Sequence, residues 1–238
     1  GAPTACIDRV LFPGETSVAH GRGTWSANAA TRAAIGSPVT LNVTGTYNAT
    51  NRQVNADVTA NFADYAVPGD IRVTLFVVED SVTCAGSGYN QVNAYNNSAG
   101  HPYAGAGNPI VGFVRRHVLR DVYPTNDAWG DNTVIPTSPV LNTNYVKNNT
   151  FTLNSTWKSN DVSLVAFVSY YNVNTDERVV LNAADVKLNN LTSSVGEIEK
   201  DASSLSIYPN PTADVSTIEF NLSTSKAVLL SVRDMTGK

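Results

Sequence analysis

The stretch "DIRVTLFVVED", residues 70–80, decides the fold. It starts directly after Pro68-Gly69 and is apolar at nearly every position through Val78. Successive side chains of a strand point to opposite faces, so a run that is apolar at both parities predicts a central strand covered on both sides. "VSLVAFVSYY" (162–171) has the same character and predicts a second such strand.

Around these two runs the chain alternates. "VTLNVTGTY" (39–47) and "RQVNADVTANF" (52–62) interleave apolar and polar residues, and "NATN" between them is turn chemistry, so the two predict a β-hairpin. "ERVVLNAADVKL" (177–188) follows 162–171 across "NVNTD" and predicts another hairpin. "VKNNTFTLNSTW" (146–157) alternates cleanly. "IVGFVRRHVLRDVY" (110–123), rich in β-branched residues between Pro109 and Pro124, is read as a strand. Seven or eight strands between 38 and 190 predict an all-β antiparallel β-sandwich, immunoglobulin-like or jelly-roll; the pattern does not distinguish the two orders. The polar stretch 84–108 is too long for a simple hairpin loop, and loops of that length are functional or disordered.

One helix is predicted ahead of the sandwich, in "GTWSANAATRAAIG" (23–36). Ala and Arg favour helix, Trp25, Ala29 and Ala33 share a face, and Gly36 with Pro38 ends it. Residues 191–204 are small, polar and charged and read as a linker. A partial second β unit follows, with the alternating strand "STIEFNL" (216–222) and a partner strand in "AVLLSVRDM" (227–235).

Composition narrows the function classes. The 238 residues are 42% hydrophobic and only 15% charged, with net charge −4. Soluble domains carry roughly a quarter charged residues; here Asn, Thr and Ser keep the surface polar instead. No basic patch with interleaved aromatics is present, so nucleic acid is not an expected partner. No apolar run is long enough for a transmembrane segment, and "GAPTACIDR" does not read as a signal peptide. Two cysteines, Cys6 and Cys84, are the candidates for a disulfide, which an oxidising compartment would permit.

Chemistry is sparse. No H-E-x-x-H, G-x-S-x-G, P-loop or dinucleotide fingerprint occurs, so no catalytic residue is assigned and a non-enzymatic protein is expected. "RRHVLRD" gathers His117 and Arg120 with neighbouring charges, and Glu79 ends the central strand beside it. In an extended strand Arg115, His117 and Asp121 would share one face and Arg116 and Arg120 the other. Glu79, His117 and Arg120, with Trp129 nearby, form the candidate ligand site; the alternative is a salt-bridge network that pins strand register. In "TNDAWGDN" (125–132), Asp127 and Asp131 are candidate calcium ligands, since calcium prefers such oxygen donors, although Asp and Asn are also ordinary turn residues. Calcium is the one cofactor considered. Tyr89, Tyr95, Tyr103, Tyr123 and Trp129 would suit a sugar-stacking face, and equally a sandwich core.

Two resemblances add an address. "LSIYPNPTADVSTIEFNLSTSKAVLLSVRDMTGK" (205–238) resembles the start of the C-terminal sorting domain of the type IX secretion system of Bacteroidetes, through the corner Tyr208, Pro209, Asn210, Pro211, the strand "STIEFNL" and the second strand ending in "DMTGK". That resemblance implies the type IX secretion machinery as a partner and passage through the periplasm to the outer membrane surface or the extracellular space. "VTLFVVEDSV" (73–82), "RRHVLRDVY" (115–123), "GDN" (130–132) and the run 162–188 look like the C-terminal half of the outer-membrane-protein-28-related family. Members often carry a thioredoxin-like domain upstream, and 1–37 resembles the remnant of one, with Pro3 placed like its cis-proline and the helix like its last helix. The organisation implied is a remnant at 1–37, a sandwich at 38–190, a linker at 191–204 and a partial sorting domain at 205–238. The function implied is a surface-bound or secreted protein with a binding or adhesive role toward a surface partner or polysaccharide. The alternatives are an accessory domain of a larger redox protein or, third, a hydrolase built on the 84–132 loops.

Overall fold

The computed structural model describes residues 4–193, 202–208 and 217–222. The chain divides into two compact units, Gly1–Ser193 and Ser194–Lys238. The first opens with a short antiparallel pair, β1 (Thr4–Ala5) and β2 (His20–Gly21), and helix α1 (Trp25–Ala33). The strands that follow are β3 (Val39–Asn48), β4 (Gln53–Phe62), β5 (Asp70–Glu79), β6 (Val118–Tyr123), β7 (Asn144–Thr152), β8 (Val162–Tyr171), β9 (Val180–Lys187) and β10 (Thr192–Ser193). One sheet has the order β10-β3-β4-β7 and the other β6-β5-β8-β9. Every pairing in the two sheets is antiparallel except the short parallel contact of β10 with β3. The expected all-β sandwich is therefore the observed one.

Its core lies between the sheets. Val39, Val43, Tyr47, Val54, Val58 and Phe62 from the first sheet meet Ile71, Val73, Leu75, Val77, Leu164, Ala166 and Val168 from the second. These positions alternate along each strand, as a face packed on a partner sheet requires. In β5 the opposite parity is also largely buried: Arg72 and Thr74 are covered on the outer face. The doubly apolar reading of 70–80 holds because the loop between β6 and β7 and the N-terminal segment fold over that outer face.

The hairpin β3–β4 runs in unbroken register from Val39↔Phe62 to Asn48↔Gln53. Asn48 closes the turn by accepting a hydrogen bond from the Thr50 amide (2.9 Å), and Arg52 takes a positive φ of 59°. Inside β3, Gly45 approaches β4 so closely that a Cβ would sit 2.0 Å from the Asn55 carbonyl oxygen, so only glycine fits.

Several expectations are corrected. The strand expected over 110–123 is confined to Val118–Tyr123. Ahead of it only isolated bridges form, Ile110 with Gln91 and Arg115 with Val82, because positive φ values at Gly112 (68°) and His117 (52°) break the extended run. A bulge opposite Val77/Val78 then leaves Arg120 without a cross-strand neighbour, so simple alternation of faces fails there too. The stretch 84–108 is organised by its own contacts: the buried Asn93 side chain donates to the Tyr103 and Gly107 carbonyls (2.9 Å each), and Tyr95 stacks on His101. Helix α1 exists but buries none of its residues. Its half-covered side is Trp25, Asn28 and Arg32 rather than Trp25, Ala29 and Ala33, because Trp25 Nε1 donates to the His20 carbonyl (2.8 Å) and Arg32 pairs with Asp8 (2.9 Å).

The expected linker is shorter at both ends. Leu191 is buried, Thr192–Ser193 joins the first sheet, and Ala202–Ser204 belong to the next strand. In the second unit β11 (Ala202–Tyr208) pairs antiparallel with β12 (Thr217–Leu222), from Leu205↔Phe220 to Tyr208↔Thr217. Tyr208 ends β11; Pro209, Asn210 and Pro211 lie outside the described residues, as does the expected partner strand 227–235. Among the described residues no helix is long and apolar enough to cross a membrane.

Candidate functional site

The loop after β6 is fastened to the edge of β5, on the side where β6 pairs further along, by backbone bonds in both directions between Val73 and Asp131 (2.9 and 3.2 Å). Gly130, at φ 102°, makes this approach possible: a Cβ there would lie 2.5 Å from Thr74 Oγ1 and 2.9 Å from the Val73 carbonyl oxygen. The Trp129 amide donates to Asp127 Oδ1 (2.8 Å), an Asx turn that fixes the loop tip. Trp129 is thus held over the sheet by an anchored loop, with 39% of its surface exposed.

Two guanidinium groups lie over its ring, Arg9 at 4.5 Å and Arg178 at 4.0 Å from the centroid. Arg178 also lies over Tyr171 (4.4 Å), and Arg72 lies over Tyr171 in turn (3.6 Å). The three arginines are not equivalent. Arg72 is bidentate to Asp70 and bonded to Asp127, so two carboxylates compensate it. Arg178, 7% exposed, donates among the described residues only to the Asn172 carbonyl (2.6 Å). Arg9 donates to the Thr175 carbonyl (3.2 Å), and its Nε is buried without a partner. Among the described residues no carboxylate forms an ion pair with Arg9 or Arg178. Burial, reinforced by the neighbouring Arg178 cation, holds the Arg9 guanidinium below its usual pKa, with Cys6 and Asp176 acting the other way.

These groups border a half-open cleft of about 330 Å³. Phe76 and Phe167, in edge-to-face contact at 4.8 Å, line it with Val180, Ala183 and Ala128. Arg9, Arg178 and Trp129 supply the polar and aromatic wall, and the exposed Cys6 thiol lies on the rim. Asp8 also borders the cleft, but Arg32 neutralises it.

The residues singled out from sequence are placed differently from one another. Glu79 is 2% exposed and fully engaged: one oxygen accepts from Arg120 Nε (2.7 Å), the other from the Lys158 amide (2.8 Å). His117 does not join it. Its backbone amide donates to Asp80 (2.7 Å), its ring stands 3.7 Å from the same carboxylate, and its side chain is 77% exposed. The Glu79–Arg120 pair and the His117–Asp80 pair are separate from one another, and Trp129 lines a different cleft. Asp127 is bonded to Arg72 and Asp131 to Lys147 and Thr133. Burial pushes the Asp131 carboxyl up, but the bonds from Lys147 and Thr133 outweigh it and hold its pKa at about 2. The two aspartates answer two different cations, and among the described residues no three metal-binding side chains come together, so the calcium reading finds no site. Cys6 and Cys84 are both free and exposed, not joined. The tyrosines do not share one face: Tyr95 stacks on His101 with Tyr103 tilted against the same ring, and Tyr123 stacks on Phe151 at 4.4 Å. Burial and the Asp121 carboxylate, which accepts from the Tyr123 hydroxyl, push that phenol's pKa up.

Of the cleft, sequence reasoning found only Trp129. Arg9 sits in a segment with no motif and Arg178 at the start of the expected hairpin strand 177–188; nothing local announces that they meet.

Residues 1–192 match the family described as outer membrane protein Omp28. Among solved structures, HBP35 of Porphyromonas gingivalis superposes with TM-score 0.58 at 19% identity, over 95% of this chain and 64% of that one. A domain of the outer membrane lipoprotein Omp28 from Porphyromonas gingivalis aligns at 18% identity and TM-score 0.35, over 64% of this chain and 88% of that one. The first likeness shows the fold; this chain spans 64% of that structure's length. No curated protein among those compared matches. The location expected from the sequence, the outer membrane surface, is that of the matched family, and the chain belongs to the outer membrane protein Omp28 family.

Proposed function

We propose that this is a non-enzymatic β-sandwich protein, displayed on the outer membrane surface or released from it, that binds a partner through the Trp129 cleft. The tail at 205–238 is read by the type IX secretion machinery of a Bacteroidetes cell, and the partner is a surface polysaccharide or another surface molecule. The observation that carries the binding role is the pair of arginines over Trp129, neither ion-paired to a carboxylate among the described residues, beside an apolar floor. A buried cation left uncompensated by its own fold is costly, and a bound anion removes the cost. The polar groups that sequence suggested for chemistry are consumed by structural pairs, which supports binding over turnover. Export is tested by recovering the native protein from its producer. The expected result is a species in the outer membrane fraction or the medium, lacking the region after Ser204. A cytosolic species with its tail attached would overturn the export reading.

A second reading is the accessory β domain of a larger thioredoxin-like redox protein. It is favoured by α1, which buries none of its residues and turns Ala29 and Ala33 outward, as a helix does when further chain packs on it. A Cys-x-x-C encoded upstream of Gly1, with disulfide reductase activity in the longer product, would support it. An upstream region without that motif would remove it.

A further inference from the structure

We infer that the Trp129 cleft takes a carboxylate carried on a flat apolar or aromatic body; this rests on the reading of that cleft as the binding site. Arg178 is buried (7% exposed) and packed against Trp129 and Tyr171, so its guanidinium is fixed before any ligand arrives. Only its Nε is used, on a neutral carbonyl, and the rest of the fork has no carboxylate partner among the described residues. Arg9 lies over the same ring with a buried Nε that finds no acceptor. A planar two-oxygen anion matches guanidinium geometry in a way a point cation such as lysine does not require. Arg72, one ring further along, is the internal contrast: there Asp70 and Asp127 already occupy that role, bidentate in the case of Asp70. Asp8, the acid bordering the cleft, is bound by Arg32 and makes no ion pair with Arg9 or Arg178.

The floor selects the body of the ligand. Phe76, Phe167, Val180 and Ala183 offer an apolar surface and few competing donors. Besides the arginines, a phosphorylated sugar would find only the Ser169 hydroxyl, the Cys6 thiol and the Arg32-paired Asp8 as polar side chains in the lining, and would shed water against the rest at a cost of several hydrogen bonds. An arene or branched alkyl group gains from the burial and stacks on Trp129. The volume, about 330 Å³, sits at the low end of small-molecule sites, roughly 300–1,000 Å³, and suits one or two fused rings, free or carried as an end group on the surface partner.

The test uses the full chain with 2-naphthoate as the probe and its neutral amide, 2-naphthamide, as the control. Trp129 reports by fluorescence quenching, with Trp129→Phe identifying its share among the three tryptophans. Cys6, on the rim, reports by protection from iodoacetamide, and Cys84, which does not line the cleft, is the reference thiol. The expected result is saturable quenching with a Kd of about 0.1 mM, and binding of the amide about tenfold or more weaker. Naphthoate slows alkylation of Cys6 and not of Cys84. Arg9→Gln, whose wild-type side chain makes one neutral hydrogen bond, keeps the fold and loses about tenfold in affinity; Arg178→Lys, which keeps the charge but not the fork, also weakens binding. Equal binding of naphthoate and naphthamide would overturn the carboxylate inference while leaving the cleft as a binding site. Absence of saturable quenching and of Cys6 protection with both probes would overturn the inference and the binding reading together.

Discussion

Glu79 and Arg178 are both buried charges on the same sheet, and they are treated in opposite ways. Glu79 closes β5 with each of its oxygens answered, one by Arg120 and one by the Lys158 amide. Arg178 precedes β9 with one neutral hydrogen bond and two aromatic rings around it. A fold that needs a charge for its own stability satisfies it; a charge left for a ligand stays partly unanswered. The density of charged letters in sequence does not separate these cases. "RRHVLRD" is crowded with charge, yet its Arg120 is answered by Glu79 and its His117 by Asp80, both outside the segment.

The largest way to break the contrast is Glu79→Ala. It leaves Arg120 and the Lys158 amide without their acceptor, and removing one partner of a buried pair costs roughly 3 kcal/mol, the lower end because Arg120 keeps some contact with water. Urea unfolding should show a large fall in midpoint with an unchanged slope. A loss within measurement error would mean that the Glu79 network is not structural.

The Asp131–Lys147 pair, which ties the Trp129 loop to β7, should show itself in pH dependence. Its carboxyl sits at about 2 when folded, below the ordinary 3.8. The unfolded chain therefore takes up the proton first as pH falls. The stabilisation is complete above pH 4 or so and is lost as pH drops through the folded value; it amounts to about 2 kcal/mol. Urea midpoints collected from pH 5 to pH 2 should fall more steeply for the wild type than for Asp131→Asn. Identical slopes would assign the acid loss to other carboxylates.

Trp129→Ala tests the other region. The ring is part exposed and contributes two cation–π contacts, so its removal should cost about 1 kcal/mol. The loss of naphthoate binding should be complete by comparison. A stability loss matching that of Glu79→Ala would make Trp129 a core residue rather than a wall of the cleft.

What was legible in sequence follows from what is local. The hairpin β3–β4, the doubly buried β5 and β8 and the sandwich itself are written in alternation and turn residues, which act over a few positions. The strand at 110–123 was overextended because a propensity for β cannot register that Gly112 and His117 adopt positive φ. The face of α1 was misassigned because its contacts are set by the His20 carbonyl and by Asp8, polar groups outside the helix that a hydrophobic period does not weigh. The cleft was hardest. Arg9 and Arg178 come from opposite ends of the unit and meet only because Asp8 pairs its carbonyl with the Val180 amide at the edge of the second sheet (2.9 Å). Trp129 was the one member visible in advance, and its partners could not be named without that register.

His117 offers the smallest effect and the sharpest sign. As a ligand residue it would lose function on any substitution; as a turn residue it carries backbone strain that glycine would relieve. Its φ of 52° falls where a side chain is penalised, and its ring is exposed. Its bond to Asp80 comes chiefly from the backbone amide, which glycine retains, and that bond is the main cause of the lowered Asp80 pKa. The relief of strain is offset in part by the greater freedom of glycine in the unfolded chain, leaving a gain of about 0.5 kcal/mol for His117→Gly. The exposed ring-to-carboxylate contact takes little away. A raised urea midpoint with naphthoate affinity unchanged would place His117 in the scaffold. A lowered midpoint, or a loss of binding, would reunite it with the site and undo the division between the two regions.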